Sequence, residues 1–283
     1  VKTFSSYTPS LDMAAVAAAV DTVEGRELSV FEREDALELI WVAAERWFAR
    51  DMQDLEILGL EEEVFVRDLP DQRTEWHGFV DGKAVVTADA GEPFNGKNQL
   101  KRNFAGDTLL WDWKTTDGSV DWAWEQKLKE SWQWKEYAFA TGASLFSYRG
   151  LSRREKDSRE CLILVPETNG VEVKEFLTGV FSYRQSLVDS GIKVWTRHAP
   201  FACKAYGREC PFLDDCKTYS MEPVAPGDRQ LSYSSINDLL LCPERHRRKS
   251  LSEEREQTDS TIFGQAVHRG LEELWRQGKE LQR

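Results

Sequence analysis

Apolar positions recur at helical spacing in some stretches of the chain and alternate as in strands elsewhere. Between 29 and 51, Leu37, Ile40, Trp41, Ala44 and Phe48 fall three or four residues apart, which predicts one long amphipathic helix. Residues 63–67, 76–80 and 84–87 read as strands, with Asp81-Gly82 as a hairpin turn or strand end. A polar, Gly- and Asn-rich stretch, 89–106, is expected as an exposed loop before a further strand over 108–115. Residues 122–141 carry a Trp-dense helical pattern, 161–165 a strand, and 171–190 a helix with Phe176, Val180 and Leu187 on one face. A turn-rich cysteine segment, 203–216, is followed by a linker marked by Pro223, Pro226 and Gly227. Ser235 with Asp238 three residues on reads as the capping box of a short helix. A last helix buries Phe263, Val267, Leu271, Leu274 and Trp275. Residues 1–25, rich in Ser, Thr and Ala, are expected to be a loosely packed start, and no internal repeat is visible. The pattern predicts a mixed α/β (α+β) fold class.

Composition adds little to this picture and excludes some classes. The chain has 283 residues, 41% of them hydrophobic and 30% charged, ordinary proportions for a chain that buries a core. No apolar run spans a membrane, so no membrane partner is expected and a cytoplasmic location is the default. The formal net charge of −12 disfavours a general polyanion binder. Local cations therefore become the candidate phosphate contacts: Lys127, Lys129, Lys135, Arg153, Arg154, Arg245, Arg247, Arg248 and Lys249. Five cysteines without a secretion signal argue for metal ligation rather than disulfides. Cys161, inside the apolar run CLILV, reads as a core thiol instead.

The candidate chemistry begins with DTLLWDWKTT. Asp112 and Lys114 lie two residues apart, so a strand presents them on one face, the carboxylate for a metal and the ammonium for a phosphate or an attacking water. Asp81, in HGFVDG, could converge on the same ion as Asp112. Gln133 and Tyr137, spaced QxxxY, share a helix face. Cys203, Cys210 and Cys216 are spaced C-x6-C-x5-C, and Cys242 follows alone in LLCPERH. Four thiolates suit an iron–sulfur cluster or a structural Zn²⁺. Trp111, Trp113, Trp122, Trp124, Trp132 and Trp134 crowd the same region, mostly as core, with one or two available to stack unpaired bases. His77, His198 and His246 are given no role.

Together these motifs resemble the PD-(D/E)XK nuclease superfamily in its RecB-like, CRISPR-associated iron–sulfur exonuclease branch. The likeness runs over about 63–216 and 231–275. It implies a restriction-endonuclease-like core, a small central mixed sheet flanked by helices and stapled by a 4Fe-4S cluster. It implies Mg²⁺ or Mn²⁺ held by His268 (in FGQAVHRGLEELW), Asp81, Asp112 and the Trp113 carbonyl, with Lys114 catalytic and Gln133 and Tyr137 supporting the site and contacting DNA. Cys242 resembles the family's opening cluster ligand, and Cys203, Cys210 and Cys216 its closing three. Cys203 departs from the commoner spacing, which has two residues before the second cysteine. The activity implied is a deoxyribonuclease, an exonuclease on single-stranded DNA ends, in prokaryotic or phage recombination, repair or CRISPR adaptation, with a helicase or adaptation partner. The alternative is a non-catalytic DNA-binding or adaptor module that retains the fold.

The motif order is rotated, because the Cys-Pro block and the histidine helix, which open the family's domain, here close it. The expectation is one circularly permuted nuclease domain over 1–283: a helical region (1–60), the nuclease core (61–200), the cysteine region and linker (201–242) and the histidine segment (243–283). Met221 would mark an original start, and neighbouring ends make such a rotation tolerable. A fragment of a tandem array is the competing account.

Overall fold

A computed structural model describes residues 3–23, 27–66, 75–87, 104–190, 210, 212, 230–251 and 258–282. The chain divides into two compact units, one of Val1–Glu63, Phe79–Pro166 and Gln257–Arg283, the other of Val64–Gly78 and Glu167–Glu256. The fold is mixed α/β, as the pattern predicts.

The first unit opens with α1 (Met13–Val20), capped by the Asp12 carboxylate on the amides of Ala14 and Ala15. Phe4, Leu11, Val16 and Val20 are buried, so the expected loose start is instead part of the core. The helix expected over 29–51 is α2 (Val30–Ala43), a π-helical stretch over Ala44–Phe48, and α3 (Ala49–Asp54). A reciprocal Ser29–Glu32 capping box starts it. The last helix, α9 in chain order (Asp259–Leu281), buries the expected apolar stripe. A Cβ on its Gly270 would lie 2.2 Å from Ile40 Cδ1 and 3.0 Å from Val20 Cγ2, so the missing side chain lets α9 press against α1 and α2.

The sheet runs in the order β1 (Leu55–Val66), β2 (Glu75–Val86), β3 (Thr108–Thr116), β4 (Leu145–Ser152), β5 (Asp157–Leu164). β3 lies antiparallel to β2 and parallel to β4, and β5 lies antiparallel to β4. β1 starts well before the expected 63, and β4 has no counterpart among the expected strands. All eight β4 residues are buried, including Ser147, Arg149 and Ser152, so the strand lacks the apolar run by which a buried strand is recognised. The expected helix over 122–141 breaks into α4 (Trp122–Lys129) and α5 (Trp132–Thr141), because Ser131 caps a new helix. Gly142 ends α5 in the left-handed conformation, φ 69°.

Asp81-Gly82 is not a turn, since β2 runs straight through it. Gly82 pairs with Trp111, and a Cβ there would sit 1.9 Å from Trp111 Cζ2. The glycine is the seat of an indole. Gly82→Ala is therefore expected to cost about 1–3 kcal/mol, as overpacked cores do. A urea midpoint no lower than that of the unaltered protein would show that the ring can move aside.

In the second unit, β6 (Gln230–Leu231) pairs in parallel with the start of β2, Glu75 opposite Gln230 and Trp76 opposite Leu231. α6 (Asn169–Asp189), α7 (Tyr233–Leu241) and α8 (Pro243–Leu251) complete its described elements. Ser232, not Ser235, caps α7, and Ser235 supplies the amide it accepts from. The expected loop 89–106 lies outside the described residues over 89–103, and the linker around Pro223–Gly227 lies wholly outside them. No helix among the described residues is long and apolar enough to cross a membrane.

Candidate metal centre

The site forms where β2 and β3 part. Their paired register ends at Gly82 opposite Trp111. One step further on, the Asp81 carboxylate takes over from the ladder and accepts the Trp113 amide, at 2.6 Å on Oδ2. Burying a carboxylate there is tolerable because it satisfies a backbone donor that the parting strands leave open.

Strand periodicity sets Asp112 and Lys114 on one face of β3. Lys114 Nζ lies 2.7 Å from Asp112 Oδ2, and Gln133 Nε2 donates to Asp112 Oδ1 at 3.0 Å. Gln133 also hydrogen-bonds the Tyr137 phenol one turn on, and the Phe79 backbone bonds the same phenol. Burial, then the charges of Asp112 and Asp81, push that phenol far up, so it stays protonated.

His268 comes from α9 and sits with Nδ1 3.6 Å from Asp81 Oδ2. Its ring meets the Trp113 indole edge-on, centroids 6.1 Å apart, and it also bonds the Trp113 backbone. Trp113 in turn meets Trp275 edge-on, centroids 5.4 Å apart, which ties the site to the far half of the same helix.

A residue absent from the sequence reading completes the group. One ligand atom each from Glu61, Asp81 and His268 lie within 4.8 Å of one another. Glu61 has φ 49°, a left-handed backbone that costs a non-glycine residue about 1–2 kcal/mol. The regular inward alternation of β1 is lost at this point. Only GLEEEV marks the place in the sequence, and nothing in it distinguishes the first glutamate from the next two.

The electrostatics show what these groups lack. Burial, then the Asp81 charge, pushes Glu61 up to about 7. Burial and the neighbouring Asp112 raise Asp81 well above the usual carboxylate range, against Lys114 and the Trp113 amide. Burial lowers His268. Glu61, Asp81, Asp112 and Glu272 stand against the cations Lys114 and Arg269, and a divalent cation is the charge that would relieve them. The donors fit: carboxylates suit Mg²⁺ and Mn²⁺, and the imidazole tilts the set toward the softer Mn²⁺. Of the expected ligands, Asp81 and His268 share this group with Glu61. Asp112 is engaged by Lys114 and Gln133, and the Trp113 backbone serves Asp81 and His268.

The other candidates divide. Cys161 is buried, and burial pushes its thiol up to about 11, as befits a core residue. Cys210 and Cys242 are half-buried and in no disulfide among the described residues, while Cys203 and Cys216 lie outside the described residues. Among the described residues no metal-ligand group brings thiols together. Most of the expected phosphate cations are engaged inside the protein. Arg245 and Lys249 pair with Asp238 at 3.2 and 2.6 Å, and Arg247 and Arg248 with Glu244 at 2.6 and 2.7 Å. Arg153 binds Asp35 and stacks over Phe263, and Lys135 lies over the Trp132 ring. Lys127 and Lys129 remain exposed at the end of α4, Lys129 in a long 3.8 Å pair with Glu125. Trp111, Trp113 and Trp134 are core residues, and Trp122 is exposed.

No protein-family model, no curated protein and no solved structure matches the chain.

Proposed function

We propose that the chain is a metal-dependent deoxyribonuclease of the PD-(D/E)XK, RecB-like type, cutting single-stranded DNA from its ends. The observation that carries this reading is one convergence. Asp81 and His268 come within 3.6 Å of each other, Lys114 and Gln133 contact Asp112, and Asp81 accepts the amide of Trp113 between Asp112 and Lys114. These residues, drawn from two strands and two helices, are among those the resemblance implies.

Asp81, His268 and Glu61 would hold Mg²⁺ or Mn²⁺, with Asp112 close by. Such an ion, when bound, neutralises phosphate charge and makes water a better nucleophile near neutral pH. Lys114, tethered by Asp112, presents its ammonium where charge grows on the phosphate and orients the attacking water. Gln133 fixes the Asp112 carboxylate, and Tyr137 keeps a phenolic proton beside it. The restriction-endonuclease-like core in rotated order belongs to the same reading. So does a 4Fe-4S staple on Cys203, Cys210, Cys216 and Cys242, with structural Zn²⁺ as its rival. Brown colour and visible absorbance in anaerobically purified protein would favour the cluster, and a colourless zinc-loaded protein would remove it.

End-labelled single-stranded DNA should be shortened by the protein with Mn²⁺ and left intact when EDTA strips the metal. Intact DNA that is nonetheless bound in the presence of Mn²⁺ would replace the enzyme by a non-catalytic DNA-binding module. Cutting that survives EDTA would remove the metal mechanism.

A further inference from the structure

One large apolar side chain at the site has no place in the core. Phe79 is 50% exposed, while Trp76 on the same strand and Trp111 and Trp113 on the next are fully buried. It stands two residues before Asp81, so the two side chains leave β2 on the same face, about 6.5 Å apart. The β2–β3 register pairs Gly82 with Trp111 and Lys83 with Leu110. Beyond Gly82 the two strands part, so Phe79 lies past the paired register, on the Asp81 side of β2. The ring therefore stands one pleat repeat from the Asp81 carboxylate along its own strand.

Its backbone is not loose. It bonds the Tyr137 phenol, which Gln133 links to Asp112, so the strand is held at Phe79 by the same network that orients the site. The side chain is presented on a braced backbone, with an apolar face turned partly to water at the edge of a charged centre. An aromatic face in that position has little to offer a phosphate. It suits the base of the nucleotide whose phosphate sits at the carboxylates, since one sugar links the two and spans about this distance.

We propose that Phe79 is a stacking platform for an unpaired nucleobase at the scissile nucleotide, and that it biases the enzyme toward single-stranded or frayed ends. This rests on the nuclease reading above and deepens it. A base inside a duplex has both faces covered by its neighbours, so only an unpaired or terminal base can offer a face to Phe79. Strand preference would then follow from one ring rather than from base-specific contacts.

The test uses the full chain, with Phe79→Ala, Phe79→Leu and Phe79→Trp beside the unaltered protein. Cleavage with Mn²⁺ is compared on a single-stranded oligonucleotide and on a blunt duplex of the same sequence. A second measurement reads quenching of 2-aminopurine at the terminal nucleotide with Ca²⁺ in place of Mn²⁺. The alanine and leucine proteins are expected to lose about 5- to 100-fold in the ratio of kcat/KM for single strand over duplex, mainly through KM, and to lose the quenching. Tryptophan restores both. Equal losses on both substrates, unchanged KM, or rescue by leucine as full as by tryptophan would overturn the stacking role. Quenching that depends on Phe79 in a protein that cuts nothing would sink the nuclease reading and leave the platform standing. Absence of quenching in the unaltered protein would remove the platform whatever the cleavage result.

Discussion

Asp112→Ala is expected to abolish cleavage of end-labelled single-stranded DNA, a loss of at least about 10³-fold, whereas Lys114→Met should lower kcat by about 10²- to 10³-fold. The two variants act on the same ion pair from opposite sides. Removing the carboxylate frees the Lys114 ammonium and the Gln133 amide from the acceptor that aims them, and it takes a negative charge from the neighbourhood of Asp81. Mn²⁺ affinity and rate should fall together. Removing the ammonium leaves Glu61, Asp81 and His268 in place and deletes a positive charge that opposes a cation. Mn²⁺ should then bind as well as before or more tightly, while the rate drops. Free Mn²⁺ measured by electron paramagnetic resonance beside the cleavage assay reads the split. Equal loss of metal and rate in Lys114→Met would make the lysine a structural partner of Asp112, and full activity in Asp112→Ala would put the site elsewhere.

What the sequence yields and what it hides follow one physical line. Relations set by local periodicity could be read. Asp112 and Lys114 share a strand face, Gln133 and Tyr137 share a helix face, and the stripe from Phe263 to Trp275 is the inner side of α9. Relations set by distant partners could not. β4 was unreadable because Arg149 is fully buried, and its partner Asp51 lies about a hundred residues earlier on α3. Asp81-Gly82 has the chemistry of a turn, and only the Trp111 ring on the neighbouring strand explains why the chain goes straight on. The Ala-rich start gives no apolar stripe of its own, yet small residues are what a helix needs where Gly270 lets three elements meet. Glu61 was hidden for a related reason: its role depends on a left-handed backbone at one of three consecutive glutamates. The cysteine set stays at the level of the sequence, since two of its four members lie outside the described residues.

The second large effect concerns the buried network that steadies the histidine helix. Asp51 is fully buried and accepts from Arg149 at 2.6 and 3.1 Å, from Arg50 at 3.0 Å and from the Trp275 indole at 2.9 Å. The Arg149 guanidinium lies 4.7 Å from the Trp111 ring centre and 5.6 Å from that of Trp47. Arg149→Met keeps most of the apolar volume and strands the Asp51 charge, so it should cost about 3–5 kcal/mol, read as a lower thermal or urea midpoint. Trp275 stands two helical turns beyond His268, so the loss should also weaken Mn²⁺ binding in the protein that remains folded. Glu160 gives the network a pH signature. Burial alone would raise its carboxyl, but Arg50 and then Arg149 outweigh it and hold it at about 2, from an ordinary 4.5. A carboxyl depressed by folding stabilises above its unfolded value, and that contribution is lost as pH falls from about 4.5 toward 2. Glu160→Gln should therefore be less stable than the unaltered protein at pH 7, with the gap closing over that window. A gap that stays constant down to pH 2 would assign the effect to lost packing, and the ion pairs would then be incidental to how α9 is held.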